Sequence, residues 1–371
     1  MIDVTSDFDH GNIICRNVSD PSDIRLEIRP DGNAPFYQWF YYRVDNARYQ
    51  PLTMKIVNAG GASYLAGWND YRAVASYDGE IWFRVDTDYR EGVLTISHAP
   101  DRNCVYYAYF AAYPITRYRR FVEGLKASPR FAHAVIGKTL DGQDIDYFRL
   151  GRGERPFWII ARQHPGEDMG SWWMEGFFDR LADESDADVT RLLDAATLHI
   201  IPCMNLDGAR RGHLRTNAAG TDLNRAWRNA SMKASPEVFI VREKMRETGV
   251  GFFLDVHGDE GIPNNFIDGA EGVPSWSEAL HNRLDRYKSL LLQVSKDFQT
   301  SDGYPKPPPG KANLDIATNY VAETWGCLSM TLEMPFKDAN VNPNLIHGWS
   351  PDRCRQFARE HLTVMAQVAS E

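Results

Sequence analysis

Hydrophobic and polar positions divide this chain into two stretches of different rhythm. From about Asn12 to Pro114, short apolar runs alternate or are rich in β-branched and aromatic residues. They are Asn12–Cys15, Ile24–Ile28, Phe36–Val44, Leu52–Val57, Ile81–Val85, Val93–Ser97 and Val105–Ala111. Turn-forming clusters separate them: Asp31-Gly32-Asn33, Asn58 to Gly61, Asp78-Gly79 and Ala99-Pro100-Asp101. Short strands at that spacing predict an antiparallel β-sandwich over residues 1–115.

The rhythm changes near Ile115. Thr116–Lys126 is basic and helical in spacing, and Val135-Ile136 and Ile145–Leu150 flank a Leu140-Asp141-Gly142 turn, as in a hairpin. Apolar strand candidates then follow at Phe157–Ala161, Leu198–Pro202, Phe252–Val256 and Leu328–Leu332. Between and after them lie helix candidates at Asp168–Ala182, Val189–Leu193, Pro236–Glu247, Ser275–Phe298, Leu314–Thr324 and Pro351–Val368. That order predicts a second, layered α/β/α domain over residues 116–371, its mixed sheet covered on both faces. Asn205–Ala234 and the Pro-rich Gln299–Lys311 read as long loops without structure of their own, and such loops often bind ligands or act as lids.

Composition narrows the partners more than the fold. A chain of 371 residues, 43% hydrophobic and 25% charged, is an ordinary globular protein long enough for about two domains. The net charge of −9 argues against a nucleic-acid-binding surface. No apolar run reaches the length of a membrane span. The acidic start, Met1 to Asp7, has no secretory character, and the 5 cysteines are scattered without a CxxC spacing. They read as reduced thiols of a cytoplasmic protein, which makes metal binding through Cys an unattractive reading.

The candidate chemistry gathers where strands end. Gln163-His164-Pro165-Gly166-Glu167 joins the first apolar strand to a helix, so His164 and Glu167 emerge at a strand C-terminus, where active sites of α/β folds collect. His257, in Leu254-Asp255-Val256-His257-Gly258, has the same context. Each piece alone is weak; together they make a His₂Glu set, a known catalytic zinc shell with one position open. Asp255 lies on the face of His257 and either orients an imidazole or serves the strand ladder. Asn205 to Trp227 concentrates Arg, Asn and Gly, and arginine offers a planar fork suited to carboxylates. Glu333, in Met330-Thr331-Leu332-Glu333-Met334-Pro335-Phe336, leaves a buried strand and needs a partner or a task, such as general base.

HPGE, NxDG with LRTNAAGTDLNRAW, DVHG and TLEMPF resemble, in this order, the zinc metallocarboxypeptidase family, and specifically its cytosolic carboxypeptidase branch in its bacterial type. The resemblance covers the chain from about Thr116 onward, with architectural likeness before it. It implies one Zn²⁺ per chain held by His164, Glu167 and His257. It implies Glu333 as the residue that polarises the attacking water and relays its proton, Arg215 as the group that polarises the scissile carbonyl, and Asn224 and Arg225 as the grip on a terminal carboxylate. The expected activity is hydrolysis of C-terminal residues from peptides or protein tails.

Three departures are visible. Gly166 stands where many digestive members carry an arginine. The family's mobile tyrosine has two candidates, Tyr304 and Tyr320. The branch is associated with glutamate removal, for which Arg211, Arg228 and Lys311 are the available basic residues. Two other readings compete: a zinc amidohydrolase of the aspartoacylase and succinylglutamate desuccinylase type, and a silent module that binds peptide tails. The DLNRAW segment, the position of Arg215 and the β-rich leader argue against the first, and the complete ligand set against the second.

Overall fold

The computed structural model describes all 371 residues. Ten short strands form the N-terminal module: β1 (Asp3–Thr5), β2 (Ile14–Asn17), β3 (Ile24–Glu27), β4 (Tyr41–Asp45), β5 (Leu52–Ile56), β6 (Val74–Ser76), β7 (Phe83–Arg84), β8 (Asp86–Arg90), β9 (Val93–His98) and β10 (Cys104–Ala108). They make two five-stranded sheets, ordered β1-β4-β10-β6-β7 and β2-β3-β5-β9-β8. The sheets face each other, as the Tyr42 hydroxyl on one shows by lying 3.3 Å from Met54 Sδ on the other. Every pairing is antiparallel except β3 with β5. The cause is local: after β3 the chain crosses to the other sheet as β4 and returns running the same way.

Most apolar runs of the sequence became strands; β1, β6 and β8 were not legible. β8, Asp86-Thr87-Asp88-Tyr89-Arg90, has an exposed or half-buried pattern throughout and carries no apolar signal. Phe36–Phe40 was expected to be strand, but pairing begins only at Tyr41.

The second module begins with α1 (Ile115–Lys126) and the hairpin β11 (Ala132–Lys138) and β12 (Asp144–Gly151). Then come β13 (Arg155–Ala161), α2 (Met169–Leu181), α3 (Ala187–Ala195), β14 (Ala196–Ile201), α4 (Leu206–Arg211), α5 (Pro236–Thr248), β15 (Phe252–Asp259), β16 (Phe266–Gly269), α6 (Glu278–Val294), α7 (Ala317–Trp325), β17 (Leu328–Pro335) and α8 (Pro351–Ala369). The sheet order is β11-β12-β14-β13-β15-β17-β16, with the four central strands parallel. Both faces are covered, as β13 shows: Phe157 and Ile159 join the core of α2 and α8, while Trp158 and Ile160 join that of α5 and α7. Strands buried on both faces read as continuous apolar runs, and these do.

The two modules are not separate bodies. One apolar cluster of 83 buried residues runs from the sandwich into α2, α6 and α8. Tyr109 stacks on Phe336 with ring centroids 4.6 Å apart. The parallel strands β13, β15 and β17 end at one edge of the sheet, and the sandwich flanks that edge.

Candidate metal centre and substrate cleft

The turn after β13 is held open by an arginine. Arg162 takes φ +60°, uncommon for a residue with a side chain, and its buried guanidinium donates to Pro165 O at 2.9 and 3.0 Å and to Tyr113 O at 2.9 Å. Arg162 also pairs with Asp168, whose Oδ2 lies 2.9 Å from Nε2 of His10 in the N-terminal module. Residues 163–167 are thereby fixed from both sides. Gly166 explains one departure from the digestive pattern: a Cβ there would stand 2.9 Å from Leu214 O, so no side chain fits.

Within this frame His164, Glu167 and His257 converge, all buried, with ligand atoms within 4.8 Å of one another. His164 Nδ1 lies 2.6 Å from Glu167 Oε1, His257 Nδ1 lies 2.8 Å from Oε2, and the two Nδ1 atoms are 3.2 Å apart. Two donors at the usual bond length on one tetrahedral zinc stand about 3.3 Å apart, so the set fits that ion. The far sides of the rings agree. His164 Nε2 is 3.0 Å from Asp222 Oδ1, and His257 Nε2 is 2.9 Å from Asp255 Oδ2. A carboxylate behind each imidazole fixes its tautomer and raises its basicity as a ligand. Asp255 thus takes the orienting role offered as one of its two readings. Nothing local in the sequence signals which ring Asp222 will meet. Burial alone would raise the Glu167 carboxyl, but His164 and His257 beside it outweigh burial and hold it below the usual range.

The rest of the cleft, about 490 Å³, is lined by Glu333, Arg215, Asn224, Arg225 and Tyr304, among others. Glu333 leaves β17 opposite His257 on β15. Its Oε2 is buried without a hydrogen-bond partner, and burial, reinforced by Glu167, Asp259 and Glu260 against the opposing pull of His257, keeps its pKa well above the ordinary carboxyl value. A buried carboxylate whose affinity for a proton is raised in this way is suited to take one. Arg215 Nε donates to Asp222 Oδ2 at 2.7 Å. Burial pulls its pKa down, but Asp222, Tyr64, Glu167 and Glu260 together raise it, so the guanidinium stays charged.

Asp222 also caps the turn that carries the next two residues, accepting from Asn224 N at 2.9 Å. Asn224 Oδ1 in turn accepts from Ala317 N, and Arg225 uses Nη1 on Asn224 O at 2.8 Å, leaving the rest of its exposed fork without a carboxylate partner. Of the two tyrosines, Tyr304 lines the cleft, its hydroxyl donating to Asp259 Oδ2 at 2.6 Å and lying 3.4 Å from Glu333 Oε1. Tyr320 packs on Trp227 and Trp325 instead. Arg211, Arg228 and Lys311 do not line the cleft; Arg211 pairs with Asp141 at 2.7 Å.

The segment 205–234 is more ordered than its composition suggests. It contains α4, closed by Gly212 at φ +69°, where a Cβ would also strike Gly11 O at 2.5 Å. What fixes the Arg215 segment is Asp31, a turn residue of the N-terminal module: its carboxylate accepts from the amides of Leu214, Arg215 and Thr216 at 2.6, 2.9 and 2.8 Å. Sequence reasoning saw in Asp31 only a turn. Tyr64 to Gly67 of the same module form one wall of the cleft.

Comparison with known proteins agrees with this arrangement. The profile described as "Zinc carboxypeptidase" matches residues 118–347, and that described as "Cytosolic carboxypeptidase N-terminal domain" matches residues 4–110. A metallo-carboxypeptidase from Pseudomonas aeruginosa, solved in complex with (2-guanidinoethylmercapto)succinic acid, is 42% identical with a TM-score of 0.97, covering 99% of each chain. One from Burkholderia cenocepacia is 39% identical with a TM-score of 0.97, covering 100% of this chain and 99% of that one. Cytosolic carboxypeptidase 6 of Mus musculus is 27% identical over 324 residues, 78% of this chain but 59% of its own length.

Proposed function

The chain belongs to the zinc carboxypeptidase family, and from that premise we propose that Glu333 acts as its general base, Arg215 as its charge-stabilising group, and Asn224 with Arg225 as the grip on the substrate's terminal carboxylate. The enzyme is a zinc-dependent metallocarboxypeptidase acting on the C-termini of peptides or protein tails. A zinc ion held by His164, Glu167 and His257 supplies, when bound, Lewis-acid activation of water and of the scissile carbonyl. Glu333 accepts the proton of the attacking water and delivers it to the departing amine. Arg215, fixed by Asp222, meets the negative charge that develops on the carbonyl oxygen. Arg225 and Asn224 hold the chain end, so only the last peptide bond reaches Glu333, which makes cleavage exopeptidic.

The observation that carries these roles is the pair of imidazoles backed by Asp222 and Asp255, in one cleft with an unpaired Glu333 and a free Arg225 fork. We divide the chain at residues 115 and 116 into the β module and the catalytic module. We also propose cytoplasmic residence, supported by the match to the cytosolic carboxypeptidase N-terminal domain and by five unpaired cysteines. The test of the roles is digestion of a C-terminal peptide library, with and without a chelator. Sequential loss of terminal residues, abolished by chelation and absent from C-terminally amidated peptides, is the expected result. Internal cleavage, or turnover of N-acyl amino acids alone, would overturn it.

A further inference from the structure

Asp31 holds the backbone of Arg215, whereas the guanidinium has a single hydrogen bond. Nε donates to Asp222, and both terminal nitrogens remain for the substrate. A long side chain tethered at one nitrogen can still swing, and every conformer away from the reacting carbonyl is lost to catalysis. Lateral support comes from elsewhere. Cζ of Arg215 lies 5.7 Å from the centroid of the Phe36 ring and 5.8 Å from that of Tyr64. At such a distance a guanidinium is attracted by the negative face of an aromatic ring, and its flat group can stack there.

Both rings belong to the N-terminal module, and both are themselves held. Phe36 lies in the segment that does not pair as a strand. Its carbonyl accepts from Asp31 N at 2.8 Å, which closes the loop 31–36 whose Asp31 carboxylate grips the Arg215 amide. Tyr64 is seated by the buried Gln38, which accepts from Tyr64 N at 2.8 Å and donates to Tyr64 O at 3.0 Å. Tyr37 and Ser63 exchange two hydrogen bonds of 3.0 Å and so zip the two loops together. From behind, Lys337 Nζ donates to Asn69 O at 2.7 Å, at the end of the turn that follows Tyr64. The hydrogen bonds of Tyr64 are all made by its backbone, so its ring is not placed by its hydroxyl.

We propose that Phe36 and Tyr64 are positioning residues, an aromatic clamp supplied by the β module that holds the Arg215 guanidinium where negative charge develops on the scissile carbonyl. This rests on the role assigned above to Arg215. It gives the sandwich a part in catalysis: the same two loops fix the arginine's backbone through Asp31 and its head through two rings. The catalytic module carries the arginine but neither ring, and holds the head through Asp222.

The test uses the zinc-loaded full chain and one peptide substrate, with kcat and KM measured separately. Tyr64→Leu and Phe36→Leu should each lower kcat by about 10-fold, the range of a partly desolvated cation over a ring, with KM and zinc content little changed. A rise in KM without a fall in kcat would overturn the inference. Tyr64→Phe keeps the ring and should stay within about twofold of wild type. A loss as deep as that of Tyr64→Leu would assign the effect to the hydroxyl and overturn the clamp. The decisive arm repeats both leucine variants on Arg215→Met, where the rings have no guanidinium to hold. There they should cost nothing further; losses that multiply instead would overturn the inference while leaving the Arg215 role standing. Wild-type kcat in Arg215→Met alone would remove that role and the clamp with it. Should Tyr64→Leu fold poorly, Phe36→Leu runs the same cycle with the same two outcomes.

Discussion

His164 and His257 bring their Nδ1 atoms to 3.2 Å across a chain separation of 93 residues. The cause is the parallel pairing of β13 with β15, in which Ala161 partners Val256, so the two strands end side by side. This geometry predicts one tightly held zinc per chain. His257→Ala should lose the metal. Asp255→Asn and Asp222→Asn should keep it but weaken it by about 10- to 100-fold, because each carboxylate only orients its ring. Metal analysis with chelator competition measures this, and unchanged affinity in both Asp variants would deny them that role.

Glu333→Gln should retain zinc and lose turnover by at least about 10²-fold, the range of a missing general base. The unpaired Oε2 is the reason: the amide keeps the shape and removes the proton acceptor. Single-turnover kinetics on a matched peptide reads the chemical step. Equal rates in variant and wild type would remove Glu333 from the mechanism.

Arg215→Met should reduce kcat on the order of 10²- to 10³-fold with a smaller change in KM, as expected of a group that acts on developing charge. Asp31→Ala should reproduce part of that loss with zinc content intact, since Asp31 accepts from three consecutive amides including that of Arg215. Asp31→Asn, which retains one acceptor oxygen, should recover some of it. A change confined to thermal stability would make Asp31 merely structural.

Much of the site was legible because its chemistry sits at strand ends that follow unbroken apolar runs. Ala161, Val256 and Leu332 announce such strands, and His164, His257 and Glu333 follow each by one to three residues. What stayed hidden were partners set by tertiary approach. Asp222 meets His164 only because the 205–234 segment folds back over the ring, and Asp31 and Asp168 act across the boundary between modules. A short strand such as β16 was equally silent, because Phe266-Ile267-Asp268-Gly269 is too brief to show a period.

Glu237 gives the protein a pH dependence unrelated to zinc. It lies in the first turn of α5, buried, with Oε1 unpartnered, and burial pushes its pKa up to about 7 from 4.5. Between those values the folded chain holds more proton than the unfolded one, so this group's contribution to stability falls as pH rises through the window. The difference reaches on the order of 3 kcal/mol above it. Glu237→Gln should therefore raise Tm at pH 8 and match wild type near pH 4. Thermal unfolding at the two pH values decides it; a variant no more stable at pH 8 would count against a strained carboxylate.

The shared core and the hydrogen bonds of His10 and Asp31 tie the sandwich to both catalytic loops. Damage to a strand of the first hundred residues should therefore register as a failing hydrolase rather than as a detached domain. An inactivating lesion in this protein need not lie anywhere near its metal.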